Sequence, residues 1–168
     1  MKEWPTQRGV VCDPSLDGVT HINVYSRAKT ELGVALTNMS NHGINIPEIG
    51  YFCNLEGYWW WRSTGCMYPV FKTLNAFEAR KKGKTLKRVP TDDFEEKIKE
   101  ALTIKVRSSK WIQDELHNPN NALPLTHYYV YGNYPDCVVR PANGSLWIID
   151  HLEELRSNGS VSELRRLE

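Results

Sequence analysis

Long apolar runs, net charge and paired cysteines are what this sequence has least of. No stretch approaches the roughly 18 apolar residues of a membrane-spanning helix, so a membrane is not an expected partner. The 168 residues carry 21 Lys and Arg against 20 Asp and Glu, a formal net charge of +1, too little to draw the whole chain onto nucleic acid or a membrane surface. Charge-driven binding has to come from a local patch. The four cysteines, Cys12, Cys53, Cys66 and Cys137, include no C-x-x-C pair and no Cys/His group at zinc-ligand spacing. Free thiols in a reducing compartment are expected, with no metal and no other cofactor. Met1 to Cys12 lacks the apolar core of a signal peptide, which makes the cytoplasm the expected compartment. There is no G-x-G-x-x-G, Walker or G-x-S-x-G motif, and His21, His42, His117, His127 and His151 are dispersed. These absences argue against Rossmann, P-loop and serine-hydrolase sites.

What remains has the composition of one ordinary domain with a core, expected over residues 1–157, followed by a C-terminal tail over 158–168 that is helical or frayed. His21 to Tyr25 and Ile49 to Phe52 read as short strands, and Leu146 to Ile149 as a later one after the turn signal Asn143-Gly144. Helices are expected from Ala28 to Leu32, capped by Ser26, and from Asn54 as N-cap to about Ser63, stopped by Gly65. Further helices are expected over Lys72 to Lys82, over Asp92 to Arg107, where Asp92 and Glu95 have capping-box spacing, over Ser109 to His117, and from Asp150 through Leu155. Leu74, Phe77 and Lys81 share a short face of the third. Phe94, Ile98, Ala101, Leu102 and Lys105 give the fourth one buried face with a lysine at its far end. Helices outnumber strands without regular alternation, so the fold class is α+β, mainly helical with a few short strands.

The most informative segment is Asn54-Leu55-Glu56-Gly57-Tyr58-Trp59-Trp60-Trp61-Arg62. Helical neighbours point about 100° apart, so three consecutive tryptophans cannot all face one core. Glu56 shares a face with Trp59 and Trp60, which puts a carboxylate beside an indole in the first turn, where the helix N-terminus favours negative charge. A carboxylate in such a place suits a general base or the stabilisation of a developing cation. Two clusters of cations qualify for anion binding: the run Arg80, Lys81, Lys82, Lys84, Lys87, Arg88, and Arg27 with Lys29 just past the first strand. The first also fits a solvated helix C-terminus. His127, set among Tyr128, Tyr129 and Tyr131, fits a semi-buried histidine or a proton-transfer group.

These segments, in this order, resemble the NADAR (YbiA-like) family. Asn23-Val24-Tyr25-Ser26 with Leu36-Thr37-Asn38-Met39 resembles its early L-S-N-F element, and Leu55-Glu56-Gly57-Tyr58-Trp59-Trp60 its S-x-E-H-x-x-Q stretch. Ala76 to Lys84 is similar to A-x-x-A-x-x-x-G-R, Ala101 to Lys105 to A-L-x-x-K, and Leu125 to Gly132 falls where the family has D-x-x-W-G. The resemblance spans about residues 22–133. The family's lysine after the glutamate falls near Ser63, its late aspartate at His127 or Thr126, and its late tryptophan at Tyr131. The tryptophan after G-R has no counterpart between Thr85 and Phe94.

The resemblance implies a YbiA-like α+β fold and cleavage of an N-glycosidic bond, with Glu56 as the catalytic carboxylate and Asn38 and Lys105 in or near the pocket. Its substrate classes are phosphoribosylamino intermediates and ADP-ribose on guanine. In the expected mechanism the ribose lies against Trp59 or Trp60, the base stacks on an aromatic such as Tyr131, and Arg27, Lys29 or Arg62 holds phosphate. Glu56 stabilises the oxocarbenium-like centre, and His127 or Asp136 protonates the leaving nitrogen. The expected partner is a nucleotide or an ADP-ribosylated base, or nucleic acid carrying that base. Two alternatives stand beside this reading: a non-catalytic sponge for an ADP-ribose-derived nucleotide, and a nucleic-acid module using the run 80–88.

Overall fold

The computed structural model describes residues 2–166, with side chains through Asn158. The chain mixes helices with short strands and forms two compact units. The first joins residues 1–36 to 114–168; the second is Thr37–Gln113. In chain order the elements are β1 (Thr6–Gln7), β2 (Val10–Val11), β3 (Ile22–Asn23), α1 (Glu31–Ala35), β4 (Ile44–Ile46), β5 (Gly50–Phe52), α2 (Leu55–Ser63), α3 (Ala76–Gly83), α4 (Phe94–Ser108), α5 (Lys110–His117), β6 (Leu125–Thr126), β7 (Tyr128–Tyr131), β8 (Val138–Pro141) and α6 (Leu146–Arg166).

In the first unit, β3 runs parallel to β6, and the antiparallel pair β7–β8 follows directly. Asn23 joins the two by side chain: its Nδ2 donates to the Tyr128 carbonyl, and its Oδ1 accepts from the Tyr128 backbone N–H, both at 3.0 Å. A buried carboxylate, Asp17, fixes the exit from β3, accepting from the backbone N–H of Asn23 (3.0 Å) and of Lys29 (2.9 Å). The expected helix at 28–32 starts later, at Glu31, because the Thr30 hydroxyl and not Ser26 caps it, accepting from Gly33 N–H at 2.9 Å. Gly33 then lies inside the helix and ends nothing; a Cβ there would come within 2.3 Å of the Asn23 carbonyl. Leu146 to Ile149, read as a strand, is the start of α6. Ile148, Ile149 and Leu152 are buried at helical spacing, and the helix continues past Asn158 and Gly159 to Arg166. Residues 167 and 168 of the expected tail lie outside the described residues.

The second unit is built around α2. Asn54 caps it as expected, its Oδ1 accepting from Gly57 N–H at 2.8 Å, and Gly65 follows with φ of +92°. Helices α3 and α4 and the hairpin β4–β5 surround it. The expected helix from Lys72 is two pieces: a 3-10 turn at Pro69–Lys72, then α3 capped by Asn75. That shift turns Phe77 outward, 68% exposed, while Ala76, Ala79 and Gly83 go inward. Helix α4 begins at Phe94, and the Asp92–Glu95 capping box does not form; Asp93 precedes the helix and pairs with Arg62. Its inward face is the expected one, with Ile98, Ala101, Leu102 and Lys105 buried.

Gly57 is required by packing. A Cβ there would sit 2.4 Å from the Phe71 backbone carbonyl. Helix propensity alone favours alanine over glycine by about 1 kcal/mol, but overpacking against backbone costs about 1–3 kcal/mol. Gly57→Ala should therefore lower the denaturation midpoint; a raised midpoint would contradict the close approach.

Candidate active site

The first turn of α2 presents Glu56 in a fixed setting. Its backbone N–H, one of the donors a helix start leaves without an intrahelical partner, donates to the Asn38 carbonyl at 2.9 Å. Its side chain is 8% exposed. Oε1 accepts from Trp60 Nε1 at 2.9 Å, one turn further along α2, and from Arg80 Nε on α3 at 3.3 Å. Oε2 accepts from no donor among the described residues. Among the described residues, the fully buried side-chain polar atoms without a partner are Nε of Arg62 and of Arg156, so Oε2, not being one of them, keeps solvent contact. One oxygen is thus held and the other is available. An indole N–H and a guanidinium both stabilise negative charge where water has been displaced.

Each of the three tryptophans goes a different way. Trp60 is buried, with Gly83 against its ring and the Arg88 guanidinium 4.8 Å from its centroid. It orients the carboxylate rather than offering an open stacking wall. Trp61 stacks on Tyr58 at 5.9 Å and meets Phe52 edge-on. Trp59 is half-buried and packs edge-to-face on Phe94 at 4.8 Å. Arg62 faces Asp93 at 3.7 Å and the Tyr58 ring, so this cation already has an acidic partner. Asn38 contributes its carbonyl to α2, and Met39 Sδ accepts from Arg80 Nη2 at 3.3 Å.

Lys105 is completely buried. Its Nζ donates to the Thr37 carbonyl and, at 2.7 Å, to Ser40 Oγ. Burial pushes its pKa down to about 7. Ser40 Oγ also lies 3.1 Å from His42 Nδ1; burial first, and then the Lys105 charge, lower the His42 pKa.

The remaining expected residues, Arg27, Lys29, His127, Tyr131 and Asp136, lie in the first unit, and Arg27, His127 and Tyr131 belong to an aromatic cluster there. His127, just ahead of β7, and Tyr129 and Tyr131 on it follow the two-residue alternation of a strand, with ring centroids 5.3 and 6.4 Å apart in turn. Arg140 lies 5.9 Å from the Tyr131 ring, and Tyr131 is exposed. Arg27, also exposed, donates from Nη2 to Tyr25 Oη at 2.8 Å. Lys29 reaches the Ser15 carbonyl at 3.4 Å. His127 Nδ1 is 2.6 Å from the Val24 carbonyl, an atom that only accepts, so Nδ1 carries the proton. Burial lowers its pKa. A neutral imidazole with bare Nε2 is a proton acceptor, which is the reverse of the expected donor role. Asp136 is exposed in the turn before β8.

Sequence reasoning missed the Arg80–Glu56 pair, having placed Arg80 in the basic run. The signal was present: Ala76, Ala79 and Gly83 make a small-residue stripe that brings α3 close to α2, with Arg80 beside it. It also missed Ser40 and His42, whose polar spacing in a loop carries no such mark. Among the described residues, no group of three or more His, Cys, Asp or Glu is placed to hold a metal ion.

Among solved structures the chain is similar to the NMR structure of the E. coli protein YbiA, with 15% identity and a TM-score of 0.64 over 86% of this chain and 88% of that one. At that identity the likeness establishes the fold, the YbiA-like α+β arrangement expected from the sequence. No family model and no curated protein matches the chain.

The His127 assignment is testable by NMR. Its ring should titrate below the ordinary value near 6.5 and show the Nδ1–H tautomer. A histidine whose folded pKa is depressed keeps its full stability contribution above the unfolded value and loses it as pH falls through that range. A pKa above 6.5 would contradict the burial that lowers it, and an Nε2–H tautomer would contradict the Val24 hydrogen bond.

Proposed function

We propose that this chain is an N-glycosidase that hydrolyses the bond between a ribose phosphate or ADP-ribose and a nitrogen. The observation that carries this reading is the half-engaged carboxylate of Glu56: Oε1 held by Trp60 and Arg80, Oε2 open, on a YbiA-like fold. As the C–N bond lengthens, positive charge grows at the anomeric carbon. A carboxylate oriented before the reaction stabilises that charge without reorganising. Oε2 also accepts a proton from the attacking water, whose hydroxyl goes to the anomeric carbon; the nitrogen leaves with the bonding pair and takes up the proton that Oε2 gives back, which regenerates the carboxylate. Arg80 and Trp60 keep the carboxylate aimed; neither is consumed.

A second reading draws on a separate observation. Among the described residues, Lys81, Lys82, Lys84 and Lys87 are exposed and form no ion pair. The run begins at Arg80 on Glu56 and ends at Arg88 on Trp60. A polyanion bound along it would lie beside the same carboxylate, which favours a modified base carried in nucleic acid over a free nucleotide.

Two measurements separate these readings. With ADP-ribosylated guanine as substrate, Glu56→Gln should still fold and should lose cleavage by two or more orders of magnitude, roughly 3 kcal/mol or more of transition-state stabilisation. Full retained activity removes Glu56 from the mechanism. Replacing the four lysines by glutamine should flatten the salt dependence of single-stranded nucleic-acid binding, lowering the log–log slope by about 3. An unchanged slope removes the run from binding.

A further inference from the structure

We propose that Lys105 is a positioning residue for the Glu56 carboxylate, acting through the segment Thr37 to Ser40. The inference rests on Glu56 being the working group. The ammonium reaches both ends of the segment, the Thr37 carbonyl and the Ser40 hydroxyl. The two residues between hold the site: the Asn38 carbonyl accepts the Glu56 backbone N–H, and Met39 Sδ accepts from Arg80, the cation on Glu56 Oε1. The backbone hook and the charged partner of the carboxylate therefore both pass through a turn that Ser40 closes onto the Thr37 carbonyl and that the lysine anchors to α4.

Packing alone gives no reason for a lysine there. Ile98, Ala101, Leu102 and Val106 fill the same face of α4, and an apolar side chain at 105 would avoid the desolvation of an amine. What the amine supplies is donors for two acceptors that are themselves buried. A protonated amine makes charge-assisted bonds and a neutral one weaker bonds. With the pKa near 7, the grip on the segment changes within the neutral range. The titratable groups on the elements packed around α4 are His42, ahead of β4, and Glu56, Tyr58 and Arg62 on α2. Glu56 is engaged by Arg80, and Arg62 lies against Asp93 and Tyr58. His42 is the group coupled to Lys105, through Ser40 and by charge.

The Trp60 indole N–H reports the carboxylate directly, because it donates to Glu56. In the intact protein its NMR resonance should move with a midpoint near pH 7. Lys105→Met should abolish that inflection and displace the resonance, whereas His42→Asn should leave an inflection in place. If Lys105→Met does not fold, Ser40→Ala decides, since it removes one acceptor without touching α4: a displaced resonance supports the proposal. An indole that keeps its position and inflection in Lys105→Met, or in Ser40→Ala where the first does not fold, overturns it. So does an inflection that disappears in His42→Asn and persists in Lys105→Met. With ADP-ribosylated guanine, kcat in Lys105→Met should fall by about 10- to 100-fold with KM nearly unchanged; a raised KM at constant kcat also overturns the proposal. If the unaltered protein releases no base, the glycosidase reading fails while the indole titration still decides the role of Lys105.

Discussion

A carboxylate withdrawn from water has to be held by donors, and the second unit is organised around that requirement at Glu56. The penalty for burying an ion amounts to several kcal/mol even after the protein relaxes. Trp60, Arg80 and the helix N-terminus offset it from three directions. The rest follows from bringing those donors close. Ala76, Ala79 and Gly83 leave α3 without side chains that would keep it from α2, and Gly83 lies against the indole itself. Gly57 lets the Phe71 carbonyl approach the same helix. Asn54 fixes where α2 starts and ties that start to the Leu74 carbonyl ahead of α3. The donors meet at Oε1 and leave Oε2 uncommitted, an asymmetry that a purely structural ion pair has no need of.

How much of this was legible depends on whether the cause was local. The Asn54 cap, Gly65 after α2 and the buried face of α4 are local patterns, and the sequence carries them openly. The divergence of Trp59, Trp60 and Trp61 follows from helical geometry alone. Where the cause was tertiary, the reading failed. Leu146 to Ile149 is short and apolar, and periodicity cannot separate a buried strand from a helix start in four residues. Phe77 turned outward because α3 begins at Asn75 and not at Lys72, which rotates its faces. Asp92 and Glu95 had capping-box spacing, but Asp93 is the residue ahead of α4 and the acidic partner of Arg62. Arg80 was read only as one member of the basic run, for anion binding or solvation, because its partner is 24 residues away.

The first unit shows a similar division between chemistry and role. The tilted rings around β7 have the cations Arg27 and Arg140 beside them, on Tyr25 and Tyr131. The role given to His127 changed, because a hydrogen bond to a backbone carbonyl fixes its tautomer and burial keeps it neutral. The likeness to YbiA at 15% identity fits this pattern. Backbone arrangement persists through caps, small-residue contacts and buried faces that many sequences satisfy, while the residues that set substrate and chemistry vary on it.

The central claim is that the carboxylate at position 56 breaks a glycosidic C–N bond. The most direct measurement offers the protein ADP-ribosylated guanine, a phosphoribosylamino-pyrimidine and NAD in parallel, under single-turnover conditions in 18O-labelled water. The account predicts that at least one is cleaved, releasing a free nitrogen base and a ribose product with the label at the anomeric carbon. Recovery of all three intact, with binding detected, would contradict it and leave a nucleotide binder in place of an enzyme.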